Sequence, residues 1–382
     1  METIPTKAKV SRAREKERMA TSFFILMLLL LLHLFPVKSQ NPPAAAALYV
    51  FGDSLSDSGN NNNRLTTARA NYLPYGVDFV GGTTGRFTNG KTFVDFAAET
   101  LGLPYVPAYF SLSRRQRAKT GTGVNYASGS AGILNKTGRR LGRCVTLREQ
   151  ISKFSMTVRR DLPKMFPGPL LSDHLSRSIF FVSIGSNDYI NNYLQPDYYY
   201  KRRRRPTPQA FAQKLVDALE THMQRLYYLG ARKIVMFDIG PIGCIPNNTN
   251  TTPMMGQCVE EINNFVVEFN NRFFPLVQRL NVTLRGSNFV PGQTYPVSQN
   301  IYKNAPSYGL ALTNVPCCPT YGDGIGPCKP EQQPCPDRGK HMYWDSYHPT
   351  EVTNSLMARA CFWQTPSQCF PPDTTIQQLA RL

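Results

Sequence analysis

Short apolar runs, each closed by a turn of small residues and separated by amphipathic stretches, set the fold class of this 382-residue chain. Ala44–Phe51 (AAAALYVF) stops at Gly52-Asp53-Ser54, and Ile179–Ile184 (IFFVSI) stops at Gly185-Ser186-Asn187-Asp188. Lys233–Asp238 (KIVMFD) is a third run. Apolar runs this short, bounded by turn signals, read as buried strands. Helical periodicity fills the intervals. Lys91–Leu101 places Phe93, Phe96, Ala97 and Leu101 on one face, and Thr146–Phe166 reads as a helix broken at Pro163. Pro208–Leu229 carries a stripe of Phe211, Leu215, Leu219 and Leu226, and Glu260–Leu280 carries Ile262, Val266, Phe269, Phe273 and Val277. Strands alternating with helices imply an α/β fold with a mostly parallel sheet. With no internal repeat and no Gly/Ser linker, residues 40–382 read as one domain.

In open α/β sheets ligands bind outside the carboxyl ends of the strands, so the residues that close the runs carry the functional signal. Ser54 sits at such an end. Taken alone it reads as a helix cap, a role serine and aspartate favour. Trp344-Asp345-Ser346-Tyr347-His348-Pro349 changes that reading. A serine hydroxyl becomes a competent nucleophile when a histidine takes its proton and a third group orients the histidine. Asp345 and His348, three residues apart, can meet within one turn. The other histidines (His33, His174, His222 and His341) have no such partner motif. Asn187 closes the second run, and its side-chain amide is a donor of the kind that stabilises a developing oxyanion; as a turn residue it would need no such role. Gly123–Gly132 (GVNYASGSAG) reads as a strand running into a glycine-rich turn that could offer a backbone N–H to the same oxygen.

FGDSLSDSGNNN, GRFTNGKTFVDF with NYASGSAGIL, FFVSIGSNDYINNY and YWDSYHPTE, in this order, resemble the plant branch of the GDSL esterase/lipase family, within the SGNH hydrolase superfamily. The resemblance runs from about Leu48 to about Trp363. It implies a three-layer α/β/α, flavodoxin-like hydrolase and an enzyme acting on carboxylic esters. Ser54 would be the nucleophile, His348 the general base and then acid, and Asp345 its orienting carboxylate. Asn187, the glycine-turn N–H at Gly129 and the N–H of Ser54 would form the oxyanion hole. Ser130 stands where the family often has glycine, which leaves open which N–H points inward. The small-molecule partner is an ester or lipid. The alternative on the same scaffold is an acyltransferase passing the acyl group to an alcohol, as in cutin or another extracellular ester.

Residues 1–21 are polar and basic, and an apolar stretch from Phe23 to Phe35, interrupted only by His33, follows. A basic start, a short apolar core and small residues afterwards describe a secretory signal peptide. Cleavage is expected after Ser39, with Ala44–Ala47 as an alternative site, and an uncleaved anchor is the competing reading. The stretch falls short of the roughly 20 apolar residues a spanning helix needs, and no other segment could span a membrane. Extracellular export, to cell wall or apoplast, makes disulfides permissible. All nine cysteines follow the leader. Cys244 with Cys258 would close the loop after Pro241, and Cys317, Cys318, Cys328 and Cys335 would staple the stretch before Asp345. The odd count leaves a thiol over. No Cys-x-x-Cys pair with a matching histidine is present, so neither a metal nor a cofactor is expected. Asn135, Asn247, Asn250 and Asn281 head N-glycosylation sequons. The net charge is +18, and five of the basic residues form the run Lys201-Arg-Arg-Arg-Arg205. No nucleic-acid fold signature accompanies that run. It reads as a solvated loop, with acidic polysaccharide as the functional alternative.

Overall fold

A computed structural model describes residues 43–195, 204–251, 256–322, 324–364, 366–371 and 374–382. The leader, residues 1–39, and Lys201, Arg202 and Arg203 of the basic run lie outside the described residues.

The strands are β1 (Leu48–Gly52), β2 (Ile179–Ser183), β3 (Lys233–Phe237) and β4 (Asn288–Gly292), all parallel and paired in that order. A further extended segment, 122–128, runs parallel along the free side of β1. Leu48 N–H donates to Thr122 O (3.1 Å), Tyr126 N–H to Val50 O (2.8 Å) and Ser128 N–H to Gly52 O (3.1 Å). The spatial order is therefore 122–128, β1, β2, β3, β4. Winding reverses direction between β1 and β2, the switch point where a doubly wound sheet opens its binding crevice.

Alternation along each strand splits the side chains between two apolar layers. Tyr49, Phe51, Phe180, Val182, Ile234 and Met236 face one layer, and Leu48, Val50, Ile179, Phe181, Val235 and Phe237 face the other. The helices packed against the sheet include α1 (Phe93–Thr100), α2 (Leu147–Met156), α3 (Pro208–Tyr228), α4 (Glu260–Thr283), α5 (Thr294–Lys303), α6 (Glu351–Ala358) and α7 (Ile376–Arg381). Helices α2, α3 and α4 cover the first layer, and α1, α5, α6 and α7 the second, giving three layers. Burying each large apolar side chain stabilises by roughly 1.5–3 kcal/mol. The helix expected over 146–166 is regular only to Met156. It widens into a π turn at Thr157–Asp161 and tightens at Leu162–Lys164, where Pro163 cannot donate to the ladder. Among the described residues, no helix is long and apolar enough to cross a membrane.

Candidate active site

Ser54 lies two residues beyond β1 and His348 lies 294 residues further on, yet His348 Nε2 and Ser54 Oγ are 2.8 Å apart. His348 Nδ1 lies 2.9 and 2.8 Å from the two carboxylate oxygens of Asp345. A carboxylate on Nδ1 holds the tautomer that leaves Nε2 free to accept a proton. Asp345 is fully buried and well supplied with donors. Its Oδ1 accepts the N–H of Tyr347 and of His348, both at 2.8 Å, and its Oδ2 accepts the Tyr75 hydroxyl at 2.6 Å. The three-residue spacing works because the carboxylate caps its own turn before it reaches the imidazole.

The loop carrying this pair is fastened from both sides. Cys317 N–H donates to Tyr343 O (3.1 Å) and Cys318 N–H to Trp344 O (2.9 Å). These cysteines form the Cys317–Cys335 and Cys318–Cys328 disulfides, which staple the stretch before Asp345. On the other side, the Phe87 ring lies 5.0 Å from that of His348, and Thr88 Oγ1 donates to Pro349 O at 2.9 Å. Asn89 Oδ1 accepts the Glu351 N–H at 2.8 Å. The GRFTNG string thus holds the histidine loop, while its Arg86 forms a buried bidentate pair with Asp95 at 2.8 Å per bond.

Several polar residues that sequence reasoning passed over fix the Ser54 side. Gln150, on α2, accepts the Gly52 N–H (3.0 Å) and donates to Gly52 O (2.8 Å) and Val145 O (2.9 Å). The DSGNNN string (57–62) forms a largely buried network. Asp57 Oδ1 accepts the N–H of Gly59 and Asn60, and Asn60 Nδ2 donates to Asn125 O and Ala127 O. Burial pushes the Asp57 carboxyl up to about 6 and the Asp53 carboxyl up to about 7.

The same network corrects one expectation. The Gly129 N–H donates to Asp57 Oδ2 at 2.9 Å, so it is already committed and does not face the serine. The next residue, Ser130, adopts the left-handed conformation (φ 63°) and lines the cavity with Ser54. Asn187 lines that cavity too. Its Nδ2 donates one hydrogen to Ala131 O (3.1 Å) and its Oδ1 accepts from Asn191 Nδ2 (2.8 Å), so the amide is oriented with its second hydrogen available. Gly185 at φ 136° makes the turn out of β2, with Ile239 packed where a side chain would stand. Asp188 accepts the N–H of Ile133 (2.7 Å) and Leu134 (3.1 Å), tying this turn to the glycine-rich one.

The cavity holds about 510 Å³. Ser54 and His348 line it together with the apolar Ile184, Ile190, Ile239, Ile242 and Met357 and the polar Asp238, Arg69 and Arg140. A pocket mostly apolar with a few convergent polar groups suits a small organic ligand.

The remaining expectations sort by geometry. Cys244 pairs with Cys258, Cys361 with Cys369, and Cys144 is the buried free thiol. His341 lies near Cys317 and Cys335, but their disulfide leaves no thiolate for a metal. Asn135 is exposed on a turn, whereas Asn281 Nδ2 donates to Phe289 O at 2.8 Å. Asn247 is half-buried on the cavity wall, and Asn250 Nδ2 reaches Asn314 O and Gly324 O at 3.4 Å. Of the basic run, Arg205 stacks 3.8 Å over the Tyr193 ring.

The family model for GDSL-like lipase/acylhydrolase matches residues 48–361. GDSL esterase/lipase 7 of Arabidopsis thaliana is 45% identical over 346 residues, covering 89% of this chain and 93% of that protein. GDSL esterase/lipase At1g29670 of the same plant is 41% identical over 354 residues, covering 91% and 94%. The chain belongs to the GDSL-like lipase/acylhydrolase family and is a carboxylic ester hydrolase.

Proposed function

We propose that this protein is a secreted serine esterase/lipase that works through an acyl-enzyme on Ser54. The observation that carries the reading is the continuous chain from Ser54 Oγ to His348 Nε2 at 2.8 Å and from His348 Nδ1 to Asp345 at 2.8 Å. Ser54 Oγ attacks the ester carbonyl carbon as its proton passes to Nε2. Charge gathers on the former carbonyl oxygen, where the Asn187 amide and the N–H groups of Ser54 and Ser130 are the available donors. The carbon–oxygen ester bond then breaks, and the imidazolium gives its proton to the departing alkoxide. Water, deprotonated by the same histidine, attacks the acyl-enzyme and releases the acid. The acyl chain occupies the apolar arm of the cavity.

The basic leader with its apolar core, four disulfides and an exposed sequon at Asn135 all favour passage through an oxidising secretory route to the extracellular space. A fluorophosphonate probe tests the chemistry. Labelling of the wild type at Ser54, absent in Ser54→Ala and His348→Ala, is expected, and labelling elsewhere would overturn the assignment. N-terminal sequencing of protein from the culture medium tests export, with a start beyond the leader expected.

A further inference from the structure

RLTTAR (64–69) and KTGRRLGR (136–143) form a short basic ribbon beside the cavity, bridged antiparallel at Thr66 and Gly142, with a 3-10 turn at Arg139–Leu141. Its pairing is specific. Arg143 N–H donates to Leu65 O (2.8 Å), Thr67 N–H to Leu141 O (2.7 Å) and Arg64 Nε to Arg143 O (3.0 Å). Gly142, at φ 108°, is needed here because a Cβ would stand 2.4 Å from Leu65 O. The pairing sets Arg64 against Arg143, with Arg69 further along the first segment and Lys136, Arg139 and Arg140 earlier in the second, and neither segment contains an acidic residue. Among the described residues, Arg64, Arg69, Lys136, Arg139 and Arg143 form no ion pair. In their midst Leu65 is 89% exposed. Thr67, Ala68, Arg69, Arg140 and Leu141 of the same ribbon line the cavity that holds Ser54, and so does Leu55, itself exposed.

Cations surrounding a projecting leucine match an anionic lipid surface. The arginines meet anionic headgroups while the leucine enters the boundary between headgroups and acyl chains. An acidic polysaccharide would use the charges but gives no reason for a bare leucine among them. The ribbon also sits where it would help most, since an ester lifted from that surface would enter directly beside Ser54. We propose that the 64–69/136–143 ribbon docks this protein on anionic lipid surfaces and presents their esters to the cavity. The docking itself does not depend on the chemistry proposed for Ser54.

The test uses the protein as recovered from the medium and co-sedimentation with vesicles of phosphatidylcholine alone or doped with phosphatidylglycerol. Binding to the anionic vesicles only, weakening as salt rises, is expected, and Ser54→Ala should bind as the wild type does. Each basic residue near such a surface is worth about fivefold in partitioning. Arg139→Glu with Arg143→Glu, neither of which lines the cavity, should therefore lower binding by about 25-fold or more. Leu65→Asp should lower it several-fold. Both variants should retain wild-type melting temperature and wild-type turnover of soluble p-nitrophenyl butyrate, which separates failed docking from failed catalysis. Equal binding of variants and wild type would overturn the proposal. So would absent vesicle binding with charge-dependent retention on polygalacturonate, or absent binding to both.

Discussion

Replacing Gln150 tests how the serine is held. Its side-chain amide satisfies three buried backbone groups at once: the Gly52 N–H, the Gly52 carbonyl and the Val145 carbonyl. A buried polar group left without a partner costs about 1–3 kcal/mol; the Gly52 carbonyl keeps the Ser128 N–H, so truncation to alanine strands the Gly52 N–H and the Val145 carbonyl and should cost about 2–6 kcal/mol. Water entering the vacated space would recover part of this. Gln150→Leu fills the space and excludes water, so it should be the worse of the two. Gln150→Glu keeps an acceptor for the Gly52 N–H but, once ionised, has no donor for the two carbonyls. Urea unfolding gives the stability, and p-nitrophenyl butyrate turnover per folded molecule gives the function. Because Ser54 follows Gly52 by two residues, kcat should fall about tenfold or more, as small misplacements of reacting groups are costly. Losses below about 1 kcal/mol in all three variants would refute the reasoning and leave Gln150 an ordinary helix residue.

Ser54→Ala and His348→Ala should each abolish ester hydrolysis, and the double variant should be barely worse, because residues acting as one unit are not additive; losses that simply multiply would separate them. Asn187→Ala should lower kcat by about 10²–10³ with little change in KM; a lower melting temperature at unchanged kcat would make Asn187 a turn residue only. Burial pushes the Asp238 carboxyl up to about 7, so between about pH 4 and 7 the folded chain keeps a proton the unfolded chain releases, and stability falls as pH rises. Asp238→Asn should therefore gain up to about 4 kcal/mol relative to wild type above pH 7, at about 1.4 kcal/mol per pKa unit, and little near pH 4; equal effects at both extremes, measured by urea midpoints, would contradict this. Thiol titration under denaturing, non-reducing conditions should count one thiol, Cys144, and a count of nine would contradict the four disulfides.

What could be read from the sequence was whatever depends on local pattern. The apolar runs at β1, β2 and β3 and the stripes of α1, α3 and α4 stand where their periodicity puts them. Strand β4, Asn288–Gly292, escaped because its sequence NFVPG contains proline and glycine and half-exposes two of its five residues. Gln150 was legible in principle as a polar residue on the buried face shared by Leu147, Ile151 and Phe154. Its partner at Gly52, 98 residues away, was not. The misplacement of Gly129 has the same origin. A glycine-rich turn shows that N–H groups are available, but which one is already committed depends on Asp57, 72 residues upstream. The basic ribbon needed two segments to be paired before its charge density existed at all, whereas the contiguous Lys201–Arg205 run was visible at once. Its last arginine lies against Tyr193.

Burial alone does not select the acid that orients a histidine. Asp53 and Asp345 flank the same serine–histidine pair and are 1% and 0% exposed. Asp53 accepts one N–H through its side chain, from Leu55 at 3.0 Å, and desolvation dominates, pushing its carboxyl up to about 7. Asp345 accepts two backbone N–H groups and the Tyr75 hydroxyl, in addition to the imidazole. These donors hold both carboxylate oxygens of Asp345 in place against the imidazole. Tyr75 is itself held, since its oxygen accepts the Cys328 N–H at 3.1 Å, and Cys328 is bound to Cys318. The disulfide therefore anchors, through one phenol, the carboxylate that faces the imidazole. An acid needs its donors prepaid to support an imidazolium in a dry site, and here a tyrosine 270 residues upstream and a cystine supply them.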